Sequence, residues 1–73
     1  MHIETIRKHV ERRPFIPFTF VLDNGERVRV KHPEAIFIIT DWEIAVVENG
    51  WARYLGPEAV SEIEKARRRP LKK

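Results

Sequence analysis

The chain contains no cysteine, which excludes disulfides and thiolate zinc sites. It contains no apolar run near the roughly 20 residues that a membrane-spanning helix needs, so no membrane partner is expected. The stretch Met1–Arg13 is charged throughout and lacks the apolar centre of a signal peptide. These absences lead us to expect a cytoplasmic protein, bacterial in style. There is no Gly-rich or Ser-rich linker and no internal repeat, and 73 residues leave room for one domain only. A domain this small buries only about 60% of the surface that its unfolded chain exposes. With disulfide and thiolate staples excluded, oligomerisation is the open route to added stability.

Acidic residues are missing after Glu64, although the chain has eleven of them. Lys65, Arg67, Arg68, Arg69, Lys72 and Lys73 place six of the fourteen basic residues in the last nine positions. Residues 1–64 therefore hold eight basic and eleven acidic side chains, a formal charge of −3 inside a chain of net +3. The sequence divides into a mildly acidic domain, residues 1–66, and a basic, flexible tail, residues 67–73. Basicity of the whole chain thus does not imply a basic domain surface, the usual footprint of nucleic-acid binding.

Residues 2–12 are predicted to form a short helix. Ile3, Ile6 and Val10 fall on one stripe at helical spacing, and Pro14 ends it by pushing its predecessor out of helical geometry. A helix this short is unstable alone, so the stripe must dock. Phe15 and Phe18, in the extended segment Arg13–Phe18, are the expected anchors joining helix to sheet.

Phe18–Leu22 and Arg27–Lys31 both alternate apolar and polar residues around Asp23-Asn24-Gly25, which predicts a hairpin. A two-residue Asn24-Gly25 loop would oppose Asp23 to Glu26 and Phe20 to Arg29. A three-residue loop with Gly25 in the left-handed region opposes Phe20 to Val28 and Phe18 to Val30. A one-residue slip exchanges the faces of a strand, so burial selects the three-residue, bulged turn.

His32-Pro33-Glu34 breaks the second strand. The continuous apolar run Ala35–Thr40 predicts a strand buried on both faces, one of them against a neighbouring subunit. After a turn at Asp41-Trp42, further strands are expected over Glu43–Glu48 and Trp51–Leu55, joined at Asn49-Gly50. Residues 57–66 have two readings. Pro57 can open a helix with Ala59, Ile63 and Ala66 on one stripe. Alternatively, residues 57–59 form one turn and Val60–Lys65 a closing edge strand. The pattern slightly favours the helix. The expected class is α+β, mainly β: an N-terminal helix, then a small, strongly bent antiparallel sheet of four to five strands, with a possible short C-terminal helix.

Three stretches carry a resemblance: Pro14-Phe15-Ile16-Pro17-Phe18, Leu22-Asp23-Asn24-Gly25-Glu26-Arg27, and Val30-Lys31-His32-Pro33-Glu34. They resemble a group of small uncharacterised bacterial proteins with the pattern PFxPF, L-x-D/N-G-R and V-x-HPE. The resemblance covers under a third of the chain and implies a fold rather than an activity. Leu22-Asp23-Asn24-Gly25 is also similar to a turn of the Sm-like proteins, which implies a small SH3-like or Sm-like barrel. Two departures matter. Val28–Lys31 lacks the glycine usual in the bent second strand of that family. His32-Pro33-Glu34 stands where its acidic-aromatic RNA-pocket stretch would lie. No RNA-binding residue transfers.

No catalytic, metal or cofactor site is readable. His2 and His9 are seven apart, whereas metal binding favours i, i+4 or a tight cluster with carboxylates. His32 and Glu34 as an acid–base pair would lack a nucleophile, an oxyanion hole and a deep pocket. Trp51, Arg53 and Leu55 share one strand face, and Ala52 and Tyr54 the other. Trp, Tyr and Arg are enriched at protein interfaces, and aromatics interleaved with Arg can also stack bases. The candidate interface residues are Phe37, Trp42, Trp51, Arg53 and Tyr54. The candidate nucleic-acid contacts are Lys65, Arg67, Arg68, Arg69, Lys72 and Lys73. The sequence leads us to expect a non-enzymatic interaction module that self-associates, most simply as a dimer. The alternative is a small RNA- or DNA-binding protein, Sm-like or acting through its tail.

Overall fold

A computed structural model describes residues 1–66; the basic tail expected over residues 67–73 lies outside the described residues. Helix α1 spans Ile3–Glu11. Its stripe docks as the spacing requires: Ile6 is fully buried, and Ile3 and Val10 pack against the core from the margins. Arg12 is already extended, and the Arg13–Pro14 peptide is cis. The lead-in then runs Phe15 against Phe18, with ring centroids 5.8 Å apart.

Strands β1 (Phe18–Leu22) and β2 (Arg27–Val30) form the expected hairpin. The register is the bulged one: Phe18 opposes Val30, Thr19 opposes Arg29, Phe20 opposes Val28 and Val21 opposes Arg27. Gly25 has φ +92°, a region open mainly to glycine. The Gly25 amide donates to the Leu22 carbonyl at 2.8 Å, and the Glu26 amide donates to Asn24 Oδ1 at 2.9 Å. The other loop, Asn49-Gly50, has positive φ at both residues (53° and 82°), as a two-residue type I′ turn requires.

Strands β3 (Ile36–Thr40), β4 (Glu43–Glu48) and β5 (Trp51–Leu55) follow as a meander, and β6 (Val60–Lys65) closes the described chain. Two separate three-stranded antiparallel sheets result, ordered β2–β1–β6 and β3–β4–β5. The expectation of one bent sheet of four to five strands, closing as a small SH3-like or Sm-like barrel, is therefore corrected. Among the described residues there are six strands in two open sheets and no closed barrel.

The breaks between the sheets have a local cause. Pro-Glu-Ala occurs twice, at residues 33–35 and 57–59, and each copy forms a one-turn 3-10 helix. Proline supplies no ladder donor and ends pairing. Each corner carries the chain from one sheet to the other.

The helix reading of residues 57–66 is also corrected. No C-terminal helix exists among the described residues, because Val60–Lys65 pairs antiparallel with β1. The apolar strand β1 would otherwise present an unpaired edge, and edge pairing outweighs the weak helical pattern. The pairing places Val60 opposite Leu22 and Ile63 opposite Phe20. It is continued by the Ala66 amide donating to the Pro17 carbonyl at 2.7 Å. The core lies between the two sheets and under α1. Phe18, Phe20, Val28 and Val30 come from the first sheet, Ile36, Ile44 and Val46 from the second, and Ile6 from the helix.

Candidate functional site

Period-two alternation fixes which side chains of the second sheet face outward. Ile44 and Val46 of β4 are fully buried, so Ala45 and Val47 take the opposite face. Ala45 lies opposite Phe37 on one side and Tyr54 on the other, and Val47 lies opposite Ala52. The outer face is therefore a row of Phe37, Ala45 and Tyr54 beside a row of Val47 and Ala52. Ala45 is only 5% exposed, covered by its larger neighbours, whereas Phe37 is 53% and Tyr54 64% exposed. Two exposed aromatic side chains thus flank and cover a small central residue. Ile39 lies at the register shift between β3 and β4. It adds apolar surface, as does Trp42 at the turn ending that hairpin.

The five candidate interface residues do not form one site. Phe37 and Tyr54 share the outer face. Trp51 and Arg53 lie on the other side of β5, as their alternation requires. Trp51 is 77% exposed beside the β4–β5 turn. Arg53 is already engaged, its Nη2 donating to Glu26 Oε1 at 3.0 Å, which ties β5 to the β1–β2 hairpin. The Glu26 carboxyl is held below its ordinary value, chiefly by this hydrogen bond and then by Asn24. The sequence reading missed Ala45, Val47 and Ile39. The signal for the first two was present: in EIAVVE the small residue sits at a centre-strand position of the face opposite Ile44 and Val46.

The expected double-sided burial of Ala35–Thr40 holds on one face within the monomer. Ile36 is buried and Ile38 half-buried, while Phe37 and Ile39 are exposed. Among the candidate nucleic-acid contacts, Lys65 ends β6 and is exposed; Arg67, Arg68, Arg69, Lys72 and Lys73 lie outside the described residues.

A cationic edge was also missed. In Arg27-Val28-Arg29-Val30-Lys31 the valines are fully buried, so the three cations form a column on the outer side of edge strand β2. Both Nη atoms of Arg27 contact the Glu64 carboxylate, and this partner raises the Arg27 pKa. Arg29 and Lys31 have no ion pair among the described residues. Among those residues no cluster of three His, Asp or Glu side chains is arranged to hold a metal, and no helix is long and apolar enough to cross a membrane.

Comparison with known proteins gives no match to any family model, curated protein or solved structure.

Proposed function

We propose that this protein is a non-catalytic interaction module that self-associates through the outer face of the second sheet, its partner being a second copy of the chain. The observation that carries this reading is the exposed row Phe37–Ala45–Tyr54. The exposed rings of Phe37 and Tyr54 offer an apolar surface on which the same surface of a second copy can pack, and a two-fold contact lets each copy present both rings.

The area supports a copy as the occupant. Phe37, Ile39, Trp42, Val47 and Tyr54 are 53, 48, 74, 41 and 64% exposed. They leave an apolar surface on the order of 600 Å², at the top of what a monomer normally exposes and close to the roughly 800 Å² per partner of a stable complex. The centre of the face carries no charge, so identical patches meet there without repulsion.

The test is mass in solution. Light scattering at high micromolar concentration is expected to give a dimer for the native protein. Tyr54→Glu and Phe37→Glu are expected to give monomers with an unchanged circular dichroism spectrum, because both positions are exposed. Trp51→Glu, on the other side of β5, is expected to leave the mass unchanged. A monomeric native protein would overturn the reading.

A further inference from the structure

The acidic balance of residues 1–64 conceals a local cationic strip on the first sheet. Arg29 and Lys31 are two residues apart on β2, which spaces their α-carbons about 7 Å along the strand. Both line a hollow of about 400 Å³, together with Thr19, Glu64, Lys65 and Ala66. Both also line a second hollow of about 160 Å³, with His32, Val47, Glu48 and Asn49. Glu64 is held by Arg27, so the larger hollow is left with Arg29, Lys31 and Lys65 in excess. Glu48 is the opposing charge in the smaller one.

Two features extend the strip. At one end Ala66 lines the larger hollow, and the next residues in sequence are Arg67, Arg68 and Arg69. At the other end Glu48 pairs with Trp51 across the β4–β5 turn, and the Trp51 indole is 77% exposed. Among the described residues, cations therefore run from Lys65 through Arg29 and Lys31 towards the exposed Trp51 ring.

We propose that this strip binds single-stranded nucleic acid, with Arg29 and Lys31 on adjacent phosphates, Lys65 at the far rim of the larger hollow, and Trp51 as the stacking surface for a base. An exposed indole stacks only on an unpaired base, which selects a single strand over a duplex. The hollows are open and hold no exposed aromatic wall, so recognition is of backbone and π-face, not of sequence. The assignment places affinity on the folded domain. The strip meets the self-association face only at Val47, which lines the smaller hollow, while Trp51 lies on the opposite side of β5 from Tyr54.

Salt dependence separates the contributions. A labelled mixed-sequence single-stranded RNA is titrated against full-length protein across a salt series. Each phosphate contact on a single strand contributes about 0.7 to the slope of log affinity against log salt. Arg29→Gln/Lys31→Gln is therefore expected to lower the slope by about 1.4 and the affinity by roughly tenfold or more near 0.1 M salt. Arg29→Lys/Lys31→Arg keeps both charges and is expected to keep the slope. Trp51→Ala is expected to lower affinity about tenfold with the slope unchanged, since stacking releases no counterions. All three positions are exposed, and thermal midpoints check the fold. An unchanged slope in the double Gln variant, with binding lost only on removal of residues 67–73, would overturn the proposal in favour of the tail alone. Saturable binding of inorganic phosphate with affinity equal to the RNA would overturn it in favour of a small-anion site.

Discussion

At the scale of single residues, the β1–β2 turn sets the register of the first sheet through one backbone angle. A Cβ added at Gly25 would meet nothing within 4 Å. The cost of Gly25→Ala is therefore the positive-φ penalty alone. We expect a loss of about 1 kcal/mol or more, read as a lower denaturation midpoint. An unchanged midpoint would contradict the φ of +92°. The next residue carries a pH effect. Because the Glu26 pKa is depressed from 4.5 by Arg53 and Asn24, its contribution to stability is fully present above the unfolded value. That contribution is lost as pH falls through the lower folded value. Both partners are solvent-exposed, so the effect is small. Glu26→Gln is expected to be slightly less stable than the native protein at neutral pH and to converge with it in acid. A difference that stays constant into acid would show that the charge contributes nothing.

At the scale of elements, the last strand decides between two readings that the sequence leaves open. In the strand, Val60 is 3% exposed and faces the core opposite Leu22. On the helical stripe of Ala59, Ile63 and Ala66 it would have no core position. Val60→Ala is therefore expected to cost about 2 kcal/mol in chemical denaturation, from lost burial and an unfilled cavity. A negligible change would remove the case for β6. Local signals were legible wherever one face of an element is wet: the α1 stripe, the FTFVL and RVRV alternations, and both Asn-Gly turns. They failed where the deciding partner is remote in sequence. Nothing in VSEIEK names β1 as its neighbour, and a corner at Pro33 reads the same whether the sheet continues or breaks. The candidate site was legible as a set of exposed-type residues but not as two sides of β5, because a single apolar run such as AIFIIT does not say which face is covered. Arg29 and Lys31 were hidden by charge counting, since a sum over 64 residues erases a column of three.

At the scale of the whole molecule, the two proposed surfaces respond to salt in opposite senses. Glu34, Asp41, Glu43, Glu48 and Glu58 are the acidic groups in the second sheet, its turn and its two flanking corners, and its one basic residue, Arg53, is engaged by Glu26. A symmetric contact brings rims of like sign together, so added salt is expected to strengthen self-association by screening. Nucleic-acid binding weakens under the same titration. Dimer mass and RNA affinity measured along one salt series thus diverge, and a parallel decline of both would mean that self-association is itself electrostatic. The strand order has a further consequence in time. The second sheet is built from consecutive strands, so each strand can pair with its predecessor as soon as it leaves the ribosome. The first sheet cannot be completed that way, because β1 takes its second partner from far downstream in the sequence, Phe18 being matched to Lys65. Until that strand emerges, a nascent chain carries FTFVL with one edge open, and a translational pause ahead of Val60 prolongs the interval in which two neighbouring ribosomes can join their products strand to strand.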